Sequence, residues 1–163
     1  MGWITLALRQ ETLDIDCNNL ELRDLQLTNE LRMVEKNKSH DQSIFNKNKK
    51  AELAEIKAKY NKVKDSRPVG DDGKIDTTSG EYATWQQEYA LAKEEYEGGK
   101  LEIENYYSDI NNENEEEATD KENEIKDEQI DVESQLESKK KESDVVKQQI
   151  STDIDWQKVK FGA

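Results

Sequence analysis

Asp72, Gly73, Ile75 and Asp76 match the fifth, sixth, eighth and ninth positions of a calcium-binding loop, in which carboxylates ligate the ion and a glycine makes the sharp turn. The match ends there. Pro68 and Gly70 stand at the first and third ligand positions, and Ser79 stands where a bidentate glutamate closes the site, so a solvated turn is the better reading. Cys17 and His40 are single residues of their types, which excludes an internal disulfide and a cysteine-based zinc site and nearly excludes a nitrogen-ligand metal site and a histidine-based triad. Cys17 reads as a small apolar residue between Leu13 and Leu20, and His40 as an exposed one. The acid pairs Glu94-Glu95 and Glu115 to Glu117 lie in patterns that fold no pocket around them, so they read as solvated helix surface rather than acid-base machinery. Gly2 would be the acceptor for an N-terminal acyl chain, but Leu6 stands where serine or threonine is preferred. Asn37-Lys38-Ser39 spells a glycosylation sequon without a secretory signal before it. No catalytic residue, metal site, cofactor or small-molecule ligand is expected, and the chain reads as non-enzymatic.

What the sequence does contain is periodicity. Tyr82, Trp85, Tyr89, Ala92, Tyr96, Gly99, Ile103, Tyr106 and Ile110 follow one another at 3-4 spacing, which is the seam of a coiled coil. A face this rich in rings must lie against something long, and it reads as core rather than as a cofactor box.

The elements that would hold such a seam follow from composition. With 33% hydrophobic and 38% charged residues among 163, the chain has too little apolar material for a thick core, and packing two helices wide is the natural outcome. The net charge of -14 and the mean hydropathy of -1.13 would also suit a disordered chain, but sustained heptads argue against that. The acidic balance opposes general nucleic-acid binding, which needs cations along the phosphates. No apolar run reaches the roughly 18 to 20 residues of a membrane span, and Met1 to Ala7 has no basic region leading into a signal peptide. The expected location is a virion interior or a host cytoplasm, without secretion by a signal peptide.

Residues 4–64 contain neither glycine nor proline and read as one helix, about 90 Å long at about 1.5 Å per residue. Leu6, Leu13, Leu20, Leu27 and Val34 recur on one face, while Leu8, Ile15 and Leu22 recur on another. A two-residue step is about 200° of rotation, so the rows are nearly opposite and a single mate covers only one of them. Leu53, Ile56, Tyr60 and Val63 then form a second 3-4 seam. Lys36 to Lys64 holds nine lysines against three acids, a net of +6, whereas Glu81 to Glu124 holds fifteen acids against three lysines, a net of -12. Folding the chain back would bring these opposite charges together.

Residues 67–80 hold the sole proline and the Asp72-Gly73 pair, and they read as the turn, with Val69 and Ile75 able to form a small two-stranded flap and Ser79 or Gly80 capping the next helix. Residues 81–158 read as the second helix, bent or closely contacted at Gly98-Gly99, with residues 159–163 as a tail. Pairing residues whose numbers sum to about 145 sets Val63 on Tyr82, Tyr60 on Trp85, Ile56 on Tyr89, Leu13 on Val132, and Phe45 near Gly99. Asn111 to Glu117 interrupts the heptads, and the seam resumes at Ala118 with one extra residue of phase. The expected fold is thus all-α, a single antiparallel coiled-coil hairpin with an apolar C-terminal overhang. The intrachain seam is Leu53, Ile56, Tyr60, Val63, Tyr82, Trp85, Tyr89, Tyr96, Ile103, Tyr106 and Ile110. In that register residues beyond about Lys140 have no opposite number, so Val146, Ile150, Ile154, Trp156 and Phe161 join Leu8, Ile15 and Leu22 as candidate partner-binding residues.

The opening MGWITLALRQ, the segment SIFNKNKKAELAEIKAKYNKVKDSRP and the runs EYATWQQEYALAKEEYE and IKDEQIDVESQLE resemble small helical-hairpin proteins of tailed-bacteriophage virions. The resemblance covers most of the chain but carries no catalytic motif, so it transfers no functional residue. It implies a structural role, in many copies, in a particle or its neck and tail. The expected partners are other protein subunits, copies of the chain itself and larger structural proteins. A hairpin holdase or adaptor is the alternative, and would grip clients with apolar tips; here the tip is polar.

Overall fold

The computed structural model describes residues 2–70, 73–75 and 77–160. Two helices, α1 (Trp3–Asp65, 63 residues) and α2 (Gly80–Lys160, 81 residues), are the regular elements among the described residues, and they pack against each other. The protein is all-α.

The helix ends follow from local chemistry. The Gly2 carbonyl accepts from the Thr5 and Leu6 amides at the start of α1. At its end Ser66 Oγ donates to the Val63 carbonyl at 2.8 Å, Lys62 and Lys64 favour the negative end of the helix dipole, and Pro68 prevents continuation. Ser79 caps α2: its hydroxyl accepts the Tyr82 amide at 3.1 Å, satisfying a donor that has no partner inside the helix. Between the helices, the Gly70 carbonyl accepts from Gly73 N–H at 2.8 Å and Gly70 N–H donates to the Lys74 carbonyl at 2.7 Å. Gly73 closes this turn at φ 73°, a left-handed conformation that glycine adopts without steric cost. Val69 and Ile75, expected in a small flap, are solvent-exposed and not in strands. Asp72 and Asp76, on which the calcium-loop comparison turned, lie outside the described residues.

Contacts divide the chain into two compact units. Unit 1 comprises the described residues up to Lys36 and from Ala118 onward; unit 2 is Asn37–Glu117. In unit 1, Leu6, Leu13 and Val146 form a buried cluster with Ile150 packed against it, and Leu27, Ala118 and Val132 are buried as well. In unit 2, Tyr60 stacks on Tyr96 at 5.1 Å between ring centroids, Glu52 meets Tyr107, and Gly99 faces Ile56. Within each unit the partner's number on α2 falls as the number on α1 rises.

The register differs from the one the heptads suggested. Ile56 opposite Gly99 and Tyr60 opposite Tyr96 sum to about 155, not 145, a slide of about ten residues or nearly three helical turns. Leu13 accordingly meets Val146 rather than Val132, and Ile56 rather than Phe45 lies over Gly99. The cause is the self-similarity of a 3-4 pattern, which superimposes apolar on apolar after displacement by 3, 4, 7, 10 or 11 residues. Next to the connection, Arg67 lies over the Tyr82 and Trp85 rings at 5.6 and 5.3 Å, and Trp85 also reaches the last turn of α1 at the Val63 carbonyl. α2 runs without interruption through Gly98 and Gly99.

Candidate interaction surface

Unit 1 has two distinct α1 faces. The inner one is closed by α2: Leu6 is 6% exposed and Leu13 and Leu27 are 0% exposed. Polar contacts flank it. Arg9 Nε donates to Glu142 at 2.9 Å, Gln10 Nε2 to Ser143 Oγ at 2.6 Å, Lys139 Nζ to Asp16 at 2.8 Å, and Lys140 pairs with Glu21 at 2.7 Å. Arg23 forks onto both oxygens of Glu128 at 2.8 and 2.9 Å. That hydrogen bond holds the Glu128 carboxyl below its ordinary 4.5, and the Arg23 guanidinium is raised in return.

The outer face is apolar and open. Leu8, Ile15 and Leu22 are 60%, 54% and 54% exposed, and Ile4, Leu25 and Met33, which lie on the same side by the helical period of about 100° per residue, are also more than half exposed. Between Ile4 and Asn29 this side is completed by Thr12, Asn18, Asn19 and Gln26, with Glu11 its one charge; beyond Asn29, Glu30 and Arg32 flank Met33. In a chain that is 38% charged, a helical face with one charge from Ile4 to Asn29, more than three heptads, is the feature that most needs an explanation.

The C-terminal residues expected to overhang separate into two groups. Val146 is buried and Ile150 half-buried against Leu6 and Leu13 of the same chain, a consequence of the ten-residue slide, so neither is available to a partner. Ile154 and Trp156 are exposed, Trp156 at 70%, and Phe161 lies outside the described residues.

Unit 2 assembles an aromatic ladder. Tyr82 tilts against Trp85 at 5.5 Å and Trp85 stacks on Tyr89 at 5.2 Å, and Tyr60 of α1 reaches both Tyr89 and Tyr96. The Tyr60 and Tyr89 hydroxyls are hydrogen-bonded at 2.7 Å, and Trp85 Nε1 donates to the Val63 carbonyl at 2.9 Å. Tyr60 therefore meets Tyr89 as well as Tyr96, and Trp85 meets Val63, so next to the connection the offset from the anticipated pairs is one turn, smaller than at Ile56 and Gly99. Leu53, Ile56, Val63, Ile103 and Ile110 are half-buried along the same junction. Tyr106 does not belong to it: that ring is 58% exposed, and Tyr107 is the buried one at 8%. The seam takes a four-residue step from Ile103 to Tyr107 where the heptad pattern alone offers a three, and the adjacent tyrosines left that choice open in the sequence. Tyr107 Oη donates to Glu52 at 2.6 Å, and this bond together with burial pushes the phenol up to about 12. The ladder leaves an open groove of about 280 Å³ between Tyr60, Val63, Ala92 and Tyr96, where alanine fails to fill the space beside the rings.

Charges of the two arms are paired in part within their own helices: Lys59 forms an ion pair with Glu55, Lys93 with Glu97 and Lys100 with Glu104. Cys17 is half-buried, His40 is exposed, and no group of three potential metal ligands occurs among the described residues. No described helix is long and apolar enough to cross a membrane. No family model matches the chain, and no curated protein or solved structure is significantly similar to it.

Proposed function

We propose that this chain is a non-enzymatic structural protein of a large multi-subunit complex, an antiparallel coiled-coil hairpin that takes its place among neighbouring subunits. The observation that carries the reading is the outer face of α1: Leu8, Ile15 and Leu22 stand in water on the side away from α2. Burying each such side chain is worth roughly 1.5 to 3 kcal/mol, so a neighbour that covers the row gains several kcal/mol. The exposed Ile154 and Trp156 provide a second apolar contact near the end of α2. The resemblance of the quoted segments to helical-hairpin virion proteins makes a tailed-bacteriophage particle, in its neck, tail or capsid-associated layer, the complex we propose, with the chain found in the virion or in host cytoplasm before assembly.

The test is incorporation. Leu8→Glu, Ile15→Glu and Leu22→Glu together should remove the chain from the complex that co-purifies with the wild type, as read by mass spectrometry, while leaving the aromatic junction of unit 2 folded. Incorporation of the triple variant at the wild-type level would refute the reading.

A further inference from the structure

We propose that the occupant of the α1 outer face is the same face of a second copy, with the two α1 segments parallel and in register. This rests on the assembly reading above and names the first partner in it. Three observations carry it.

The first is area. Ile4, Leu8, Ile15, Leu22, Leu25 and Met33 are each more than half exposed. Each offers on the order of 100 Å², so two copies withdraw on the order of 1,200 Å² from water before the flanking residues are counted, which reaches the range of stable interfaces. The second is charge. Two chains of net charge -14 repel one another over most of their surface, and contact is least costly where the surface carries almost no charge, which is this face. The third is register. With Leu8, Ile15, Leu22 and Asn29 at one seam position and Ile4, Glu11, Asn18 and Leu25 at the other, a parallel pair sets Ile4, Leu8, Ile15, Leu22 and Leu25 each on its own counterpart. Asn18 and Asn29 also meet themselves, and a side-chain amide both donates and accepts, so identical residues can bond across the axis. An asparagine at one such layer is a known determinant of register. An antiparallel pair centred on the same row sets Leu8 on Leu25 but Leu22 on Glu11, Ile15 on Asn18 and Ile4 on Asn29. The parallel arrangement instead confines its like-charge cost to the Glu11 layer and to an Arg32 layer at the end of the stripe.

The experiment uses the full chain in two independent measurements. Light scattering after gel filtration should give twice the 18.9 kDa chain mass for the wild type. Disrupting the outer row with Leu8→Glu, Ile15→Glu and Leu22→Glu should return it to the single-chain mass with helicity by circular dichroism unchanged. Because that variant alters the folding equilibrium if the face matters locally, the second measurement keeps the face intact: in a Cys17→Ser background, Leu22→Cys should cross-link to itself under mild oxidation, since residues facing each other across a parallel seam lie within disulfide reach. Asp24→Cys, on the side of α1 opposite the stripe, should not. A wild-type chain of single mass at all concentrations, a dimer that survives the triple substitution, or equal cross-linking at positions 22 and 24 would each overturn the proposal. The outcomes also separate it from the assembly reading. A chain that pairs but never enters a larger particle supports this pairing and counts against assembly, whereas a chain that stays single yet enters the particle overturns the pairing alone.

Discussion

Leu13 and Leu27 in unit 1 are wholly withdrawn from water, whereas Tyr60, Trp85, Tyr89 and Tyr96 in unit 2 remain partly exposed although their rings stack on one another. Short branched side chains interdigitate between two helices and seal the space; long planar rings reach over a turn, stack along the helix and leave a groove such as the one beside Ala92. The polar contacts divide in the same way. Unit 1 is flanked by ion pairs between the helices, among them Arg23 with Glu128 and Lys140 with Glu21. Unit 2 is laced by phenol, indole and amide bonds, such as Tyr60 with Tyr89, Trp85 with Val63 and Gln42 with Glu115. Each unit holds one buried side-chain amide atom without a hydrogen-bond partner among the described residues, Gln10 Oε1 in unit 1 and Asn114 Nδ2 in unit 2. A two-helix junction can thus be held by close packing or by directional bonds between large side chains, and the two should respond to different perturbations.

The largest difference should appear on truncation. Leu13→Ala or Leu27→Ala removes a fully buried side chain and should cost about 3 kcal/mol in urea unfolding, within the roughly 2 to 5 kcal/mol seen for such sites. Trp85→Ala in unit 2 removes more atoms but from a half-exposed site, and should cost less, about 2 kcal/mol. If the tryptophan substitution proves the costlier, stacking matters more than closure and the comparison is inverted. The next effect has the opposite sign. A methyl group at Gly98 would meet nothing within 4 Å, and one at Gly99 would stand in ordinary contact, 3.7 Å from Ile56 Cδ1. Gly98→Ala should therefore stabilise unit 2 by about 1 kcal/mol through helix propensity alone, raising the melting midpoint. A lower midpoint would mean that unit 2 needs the flexibility these glycines give.

Both faces of α1 and the extent of both helices could be read from periodicity, because the rows at Leu6 and Leu8 differ by nearly half a turn and nothing in 4–64 breaks a helix. Register could not. Ile56 finds an acceptable apolar neighbour at Tyr89 or at Gly99, and a 3-4 pattern fits both, so the choice of Gly99 is tertiary information absent from any heptad. The fate of Val146 and Ile150 followed from the same ambiguity: a slide of about ten residues converts an overhang into a core. Tyr106 and Tyr107 show its smallest form, two identical adjacent residues of which one three- or four-residue step selects the buried one.

Alkaline pH should act on unit 2 through its phenols, while in unit 1 it removes the Lys140–Glu21 pair, whose ammonium is raised above 10.5 by that hydrogen bond. All six tyrosines lie within unit 2. Tyr107 is raised from 10.0 to about 12, first by its hydrogen bond to Glu52 and then by burial, and Tyr60 is raised by its bond with Tyr89. A phenol whose folded value exceeds its unfolded one contributes stability that is complete below about 10 and is lost as pH rises through about 12. Amide exchange or fluorescence should show unit 2 loosening across that window, and Tyr107→Phe should flatten the dependence. An unchanged slope in that variant would locate the alkaline effect elsewhere.

The smallest expected effect belongs to the ion pairs of unit 1. Arg23 and Glu128 make a bidentate contact, but their side chains are 37% and 47% exposed, so water and salt screen the attraction, and side-chain ordering offsets part of what remains. Glu128 is held below 4.5 chiefly by the Arg23 hydrogen bond; a carboxyl lowered in the folded state contributes stability that is present above 4.5 and is lost as pH falls through the folded value. Arg23→Gln should therefore lower the melting midpoint slightly at neutral pH and low salt, and the difference from wild type should vanish both in acid and near 1 M salt, where the screening length falls to about 3 Å. Tyr60→Phe, which removes a neutral hydrogen bond from unit 2, should give a difference that salt does not change. If the Arg23 difference also persists in high salt, the guanidinium acts by covering the edge of the Leu27 junction with its stem rather than by charge, and the contrast between the units narrows to one of side-chain shape.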